Sequence, residues 1–311
     1  MKIVFLDRYS LGAADMGPVS ALGDYVEYEF TEPARVVERS ADADVIITNK
    51  VVISDRIMEA LPRLKLICVA ATGVNNVDTD YATAKGISVR NAAGYSTRSV
   101  AEATLAMALG LLRHTVYYDR YVKDGRYAAS GRPFALDRSV GEICGKVWGI
   151  IGMGTIGRRV AELAMAFGAQ VSYYSTSGRN NDAGYLSLPL GDLLAGSDIV
   201  SIHAPLNDAT EGLLNYSNMK LMRPSSILIN VGRGGIVDEA GLARCLNEGV
   251  IAGAGLDVFA SEPLEAGSPL LTLADGDRLL AAPHCAWSSD AARRTLVEMI
   301  ADNIKQELGA G

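Results

Sequence analysis

Short runs of apolar residues, rich in Val and Ile, recur along the chain and alternate with stretches whose apolar positions fall at helical spacing. The strand-like runs are residues 3–6, 45–48, 66–70, 89–91, 147–151, 171–174, 199–203, 227–231, 253–257 and 279–282. Uninterrupted apolar strands separated by helices predict parallel sheets covered on both faces, the α/β arrangement. A helix is predicted over 99–118, beginning after Ser96 and Thr97, which can cap it. Another is predicted over 158–167 and a last one over 291–308, placed to pack back on the start of the chain.

A weak internal repeat suggests that the two halves share an architecture. Asp42-Ala43-Asp44-Val45-Ile46-Ile47-Thr48-Asn49 resembles Gly196-Ser197-Asp198-Ile199-Val200-Ser201-Ile202-His203. In each half a strand then ends in a glycine-bearing polar loop, Thr72-Gly73 in the first and Gly232-Arg233-Gly234-Gly235 in the second. Ligands bind at such strand ends in doubly wound sheets. The fold expected is two Rossmann-like, doubly wound parallel-sheet domains with an active-site cleft between them. Residues 1–98 with 287–311 form the substrate domain, and 99–286 the dinucleotide domain.

Composition narrows the function. The chain has 311 residues, of which 49% are hydrophobic, and a net charge of -7. No basic run stands out, which argues against a nucleic-acid partner. No run reaches the roughly 18 apolar residues of a membrane span, and the first residues read as a buried strand and not a signal peptide. Cys68, Cys144, Cys245 and Cys285 are scattered without a C-x-x-C pair. The expectation is a soluble, cytoplasmic protein with reduced thiols and no metal cluster.

Chemistry enters at Gly152-Met153-Gly154-Thr155-Ile156-Gly157, which follows a strand and opens a helix. In that context Gly152 permits the tight turn, Gly154 lets backbone approach a pyrophosphate, and Gly157 lets helix pack on strand. The cofactor expected is NAD(H) or NADP(H). The next strand ends without the carboxylate that usually holds the adenosine ribose; Ser175 stands there instead. A hydroxyl does not repel a 2′-phosphate, and Arg179 either pairs with that phosphate or is a solvated loop residue. The preference therefore stays open.

Three polar residues at the ends of later apolar runs suggest the reaction: Arg233, Glu262 and His284. A cation, a carboxylate and an imidazole are what hydride reduction of a 2-keto acid requires. The anion must be held, the carbonyl polarised and a proton supplied. A carboxylate bonded to imidazole favours its protonated form and fixes its tautomer. Of the other histidines, His114 lies in a helical pattern and reads as structural. His203 ends a strand, where it can line a cofactor cleft.

From about residue 70 onward the chain resembles the D-isomer-specific 2-hydroxyacid dehydrogenases. The pieces are Thr72–Asp78, Val100-Ala101-Glu102-Ala103-Thr104, the glycine turn, His203-Ala204-Pro205, Asn230–Glu239, Gly255–Pro263 and Pro283–Trp287. The resemblance implies that Arg233 binds substrate and that His284, tuned by Glu262, is the acid/base. It implies amides at Thr72 and Gly73 for the carboxylate, and a nicotinamide contact for Asp257. It further implies that Thr104, His203, Pro205, Thr210 and Val231 line the cofactor site. Pro283-His284-Cys285-Ala286-Trp287 is similar to the glycerate dehydrogenase/hydroxypyruvate reductase branch, where Trp287 would border a short polar substrate; its alternative is a core or dimer-contact aromatic. A homodimer is implied by the family alone. Ser175 and Ala103 depart from the family pattern. Formate-type members lack the Glu partner, so Glu262 argues against formate oxidation. A dinucleotide-sensing co-repressor or binding protein on the same scaffold is the rival from another class.

Overall fold

The computed structural model describes residues 1–179 and 184–309. It divides into two compact units, Met1–Ser96 with the segment from Ser288 onward, and Thr97–Trp287.

The first unit holds β1 (Lys2–Phe5), β2 (Asp24–Glu27), β3 (Val45–Thr48), β4 (Leu66–Val69) and β5 (Ser88–Asn91). They form a sheet in the order β2-β1-β3-β4-β5, with every pair parallel. β3 and β4 are buried along their whole length, which is why they read as unbroken apolar runs. The helix Asp290–Leu308 packs on β4 and β5, making this unit discontinuous in sequence. The Ser289 hydroxyl caps it by accepting from Ala292 N at 3.2 Å. Its last turn is tied to β5 by Arg90, whose Nη2 lies 2.7 Å from the Glu307 carboxylate.

The second unit holds β6 (Val147–Ile151), β7 (Gln170–Tyr174), β8 (Leu186–Ser187), β9 (Ile199–Ile202), β10 (Ile227–Asn230), β11 (Gly253–Leu256) and β12 (Leu279–Ala281). Its order is β12-β11-β10-β9-β6-β7-β8, again all parallel. Alternate side chains feed two cores, as the two-residue period of a strand requires. Trp148, Ile150, Ile199 and Ile227 join one with the helices Thr97–Leu112 and Thr155–Ala166. Ile151, Val200, Leu228 and Leu256 join the other with the helix Glu239–Glu248. Strand order reverses between β6 and β9, so the crevice at their C-terminal ends is the switch point where such sheets bind ligands.

Two expectations need correction. β2 and β8 were absent from the apolar pattern, because each is an edge strand with no buried residue. The helix predicted over 99–118 is two helices, Thr97–Leu112 and Thr115–Lys123. His114 separates them in the left-handed region at φ 49°. The second helix keeps apolar residues at helical spacing yet buries none, so periodicity alone could not mark the break. His114 is therefore a junction residue; its Nε2 lies 3.2 Å from the Ser139 carbonyl.

Candidate active site

The three glycines of the turn after β6 do different work. Gly152 adopts φ 94°, and a Cβ there would lie 2.8 Å from Ala204 N. A Cβ on Gly157 would lie 2.3 Å from the Gly152 carbonyl, so helix and turn meet backbone to backbone. Gly154 is the opposite case, with nothing within 4 Å of an added Cβ. Open space therefore lies beside the N-terminus of Thr155–Ala166, whose first residues are Thr155 and Ile156, and whose amides can face phosphate.

Two buried polar atoms flank this turn without a protein partner among the described residues, Ser175 Oγ after β7 and His203 Nδ1 after β9. His203 Nε2 lies 2.9 Å from Ser201 Oγ, which accepts from Trp148 Nε1 at 2.8 Å. Burial pushes the His203 ring down to about 3, so it stays neutral. With the Ser201 proton turned to Nε2, Nδ1 carries the ring hydrogen and is a donor awaiting an acceptor. Buried polar atoms normally find partners. The open space at Gly154 and these two orphaned groups fit a dinucleotide. Pro205 is exposed beside them, and Val231 is buried where β10 ends. Thr104 and Thr210 are fully buried, and their hydroxyls are used internally. Thr104 Oγ1 donates to Val100 O at 2.8 Å, and Thr210 Oγ1 to Pro205 O at 2.7 Å.

The polar trio occupies loops after β10, β11 and β12, neighbouring strands of one sheet. Asn230, buried at the end of β10, shapes the first loop by donating to Arg233 O at 2.9 Å and accepting from Gly232 N at 3.1 Å. Arg233 itself is exposed, with Nη1 donating to Gly232 O at 2.8 Å. A Cβ on Gly234 would lie 1.9 Å from the Phe259 carbonyl carbon, so only glycine lets this loop touch the one after β11. Phe259 N in turn donates to Glu262 Oε1 at 3.1 Å.

Glu262 Oε2 lies 2.6 Å from His284 Nδ1. A carboxylate only accepts, so Nδ1 carries hydrogen and Nε2 is the nitrogen left over. No protein group among the described residues bonds Nε2. His284 sits in the left-handed region at φ 52°, unusual for a residue with a Cβ. Asp257 accounts for that conformation. Its buried carboxylate accepts from Cys285 N at 2.8 Å and Ala286 N at 2.9 Å. Burial pushes the Asp257 carboxyl up, against the pull of these amides. Ser99 Oγ also holds this segment, donating to Ala286 O at 2.6 Å. Trp287 is partly buried against the core that contains Trp148.

Thr72 and Gly73 belong to the other unit, on the loop after β4. Their N–H groups donate to no protein acceptor among the described residues. The Thr72 carbonyl accepts from Asn91 Nδ2 at 2.6 Å, and Asn76 Nδ2 donates to Val51 O at 3.0 Å, fixing the loop. A second buried carboxylate fixes the loop after β3. Asp7 accepts from Asn49 N at 2.9 Å and Lys50 N at 2.6 Å, and burial pushes its carboxyl up. Asp7, Asn230, Ser201 and the clamp by Asp257 escape sequence reasoning, because their partners are backbone groups or residues distant in sequence. A polar residue inside or just after an apolar run is the one signal that marks them. No cluster of metal-ligating side chains occurs among the described residues.

Residues 105–286 match the family model described as D-isomer specific 2-hydroxyacid dehydrogenase, NAD binding domain. The chain is 37% identical to a glycerate dehydrogenase of Methylorubrum extorquens, covering 98% of this chain and 95% of that one. It is 33% identical to a hydroxypyruvate reductase of Blautia hydrogenotrophica, covering 99% and 97%. Among solved structures, an NADPH-dependent glyoxylate/hydroxypyruvate reductase of Sinorhizobium meliloti, in complex with NADP and malonate, superposes with a TM-score of 0.80. It is 28% identical, over 98% of this chain and 92% of that one.

The glycines give a test of the division of labour in the turn. Gly157→Ala should lower the thermal midpoint, since its methyl meets the Gly152 carbonyl. Gly154→Val should leave the midpoint within a degree or two, about the shift expected of a neutral surface change, and weaken dinucleotide binding in calorimetry. Equal thermal losses in both would show that Gly154 is also a packing residue.

Proposed function

We propose, for a chain that belongs to the D-isomer-specific 2-hydroxyacid dehydrogenase family, the reduction of a short 2-keto acid, hydroxypyruvate to D-glycerate or glyoxylate to glycolate. The family, its NAD-binding domain and relatives at both the sequence and structural level make the chain an NAD(P)-dependent oxidoreductase. The observation that carries the reading of its site is the 2.6 Å contact between His284 Nδ1 and Glu262.

The roles divide as follows. The unit Thr97–Trp287 is the dinucleotide domain, holding the cofactor at Gly152, Gly154, Gly157, Ser175 and His203. The other unit is the substrate domain, and its Thr72 and Gly73 amides are assigned to the substrate carboxylate. Arg233, whose planar fork suits a carboxylate, takes the same anion and polarises the carbonyl. When bound, the reduced nicotinamide supplies the hydride to the carbonyl carbon. His284 gives the proton from Nε2 to the carbonyl oxygen, while Glu262 holds the ring by Nδ1. In oxidation the same nitrogen takes the proton back. A sensor without turnover is the less favoured reading, since a histidine oriented by a carboxylate with its second nitrogen left over is built to move protons.

A homodimer is proposed on the same footing. Phe134 and Leu136 are 74% and 86% exposed on one segment of the second unit, surface that a second copy would cover. A cytoplasmic location is supported by free cysteines and by the lack, among the described residues, of any helix long and apolar enough to cross a membrane.

His284→Ala should lower kcat for hydroxypyruvate by roughly the 10²–10⁴ of general acid–base catalysis, with cofactor affinity unchanged. Near wild-type turnover would remove the assignment. Trp287, bulky and close in sequence to His284, should hold the pocket to short polar acids. Glyoxylate and hydroxypyruvate should therefore exceed 2-ketoisocaproate in kcat/KM, and the reverse order would exclude this branch. Ser175→Asp should raise the ratio of kcat/KM for NADH over NADPH, by setting a negative charge against the 2′-phosphate. An unchanged ratio would place cofactor choice elsewhere.

A further inference from the structure

A cavity of about 400 Å³ opens at the opposite edge of the seven-stranded sheet. Its walls include Lys146, Ile227, Gly253 and Arg278, which stand at or just before the first residues of β6, β10, β11 and β12. The glycine turn and the trio follow the other ends of these strands. The cavity is therefore about a strand length, roughly 15 Å, from the catalytic edge. It is of ligand size, and nothing in the proposed reaction uses it.

Its charge is unlike that of the molecule. The chain carries -7 overall, yet Arg138, Lys146 and Arg278 line this space with a single acid, Asp277. Arg138 lies 3.0 Å from Asp275 and 3.6 Å from Asp277, and Arg278 lies 3.8 Å from Asp275. Arg120 also pairs with Asp277. Two carboxylates thus share three guanidiniums. Lys146 has no carboxylate within ion-pair distance among the described residues. Leu111, Leu112 and Ile227 supply an apolar floor. Fixed cations over an apolar floor select a small organic anion with more than one negative group.

Two rigid elements connect the cavity to His284. Arg278 at its wall is followed directly by β12, and His284 lies six residues beyond Arg278. The helix Thr97–Leu112 ends at the cavity with Leu111 and Leu112. Near its start, Ser99 donates to Ala286 O at 2.6 Å.

We propose that this cavity is a regulatory site for a small organic acid bearing two or more carboxylates, and that its occupancy is felt at His284 through β12 and this helix. The effect on turnover rests on the reading of His284 as acid/base; the binding does not.

The test is calorimetric titration of the full chain with citrate, in the wild type and in Lys146→Gln, Lys146→Arg and Arg233→Ala. The expected result is one citrate per chain, weakened about tenfold in Lys146→Gln, the loss of one charged contact. Lys146→Arg should restore binding, and Arg233→Ala should leave it intact. Saturating citrate should change kcat for hydroxypyruvate in the wild type and not in Lys146→Gln, whose kcat without citrate should match the wild type. Absence of binding overturns the site, as does binding lost in Arg233→Ala and kept in Lys146→Gln, which would put citrate on the substrate cation. Binding with the expected Lys146 dependence and no change in kcat overturns the coupling. If hydroxypyruvate is not turned over at all, the catalytic reading fails, and the titration still decides the site.

Discussion

The buried carboxylate of Asp257 gathers the amides of Cys285 and Ala286, and the geometry proposed for catalysis hangs on that clamp. It draws the segment after β12 against the end of β11 and leaves His284 in the left-handed region. From there Nδ1 meets Glu262, itself held by the Phe259 amide. A buried carboxylate is costly to desolvate, and charge-assisted bonds to two fixed N–H groups offset that cost. Asn230 does the corresponding work for the loop carrying Arg233, and Asp7 for the loop after β3. In each case a polar residue at or just past a strand end fixes irregular backbone beyond its own strand or the neighbouring one, so that the side chains proposed to react sit on loops with little freedom.

The parallel sheet sets the stage on which these clamps act. All strands of the second unit point one way, so their C-terminal loops gather along one edge. The order reversal between β6 and β9 leaves a crevice there. Within that edge, turn and helix are brought together at Gly152 and Gly157, while Gly154 is left open. The Trp148–Ser201–His203 chain keeps a neutral imidazole at the end of β9 with a nitrogen to spare. The groups proposed to hold the cofactor are thus already placed in the protein alone.

What the sequence makes legible follows from burial. Strands covered on both faces announce themselves, as β3, β4, β9 and β10 do. β2 and β8 have one edge and no buried residue, and leave no apolar run to read. The helix break at His114 is equally silent, since exposed apolar residues of Thr115–Lys123 continue the period without being packed. At the site, the glycine turn and the pairing of Glu262 with His284 are legible from spacing and resemblance. Asp257, for which the resemblance implies a contact with nicotinamide, also takes a backbone N–H on each oxygen. The sequence marks such a side chain only as a polar residue beside an apolar run and does not name the distant amides it binds. Hydroxyls turned inward, as in Thr104 and Thr210, are likewise indistinguishable in sequence from hydroxyls facing a ligand.

In the proposed reaction this scaffold delivers a hydride to one face of a 2-keto acid while His284 supplies the proton. The most direct measurement is reduction of hydroxypyruvate with reduced cofactor deuterated at the transferring position of nicotinamide, followed by NMR and chiral analysis of the product. The expected product is D-glycerate with deuterium on C2. L-glycerate, C2 without deuterium, or no product would contradict it.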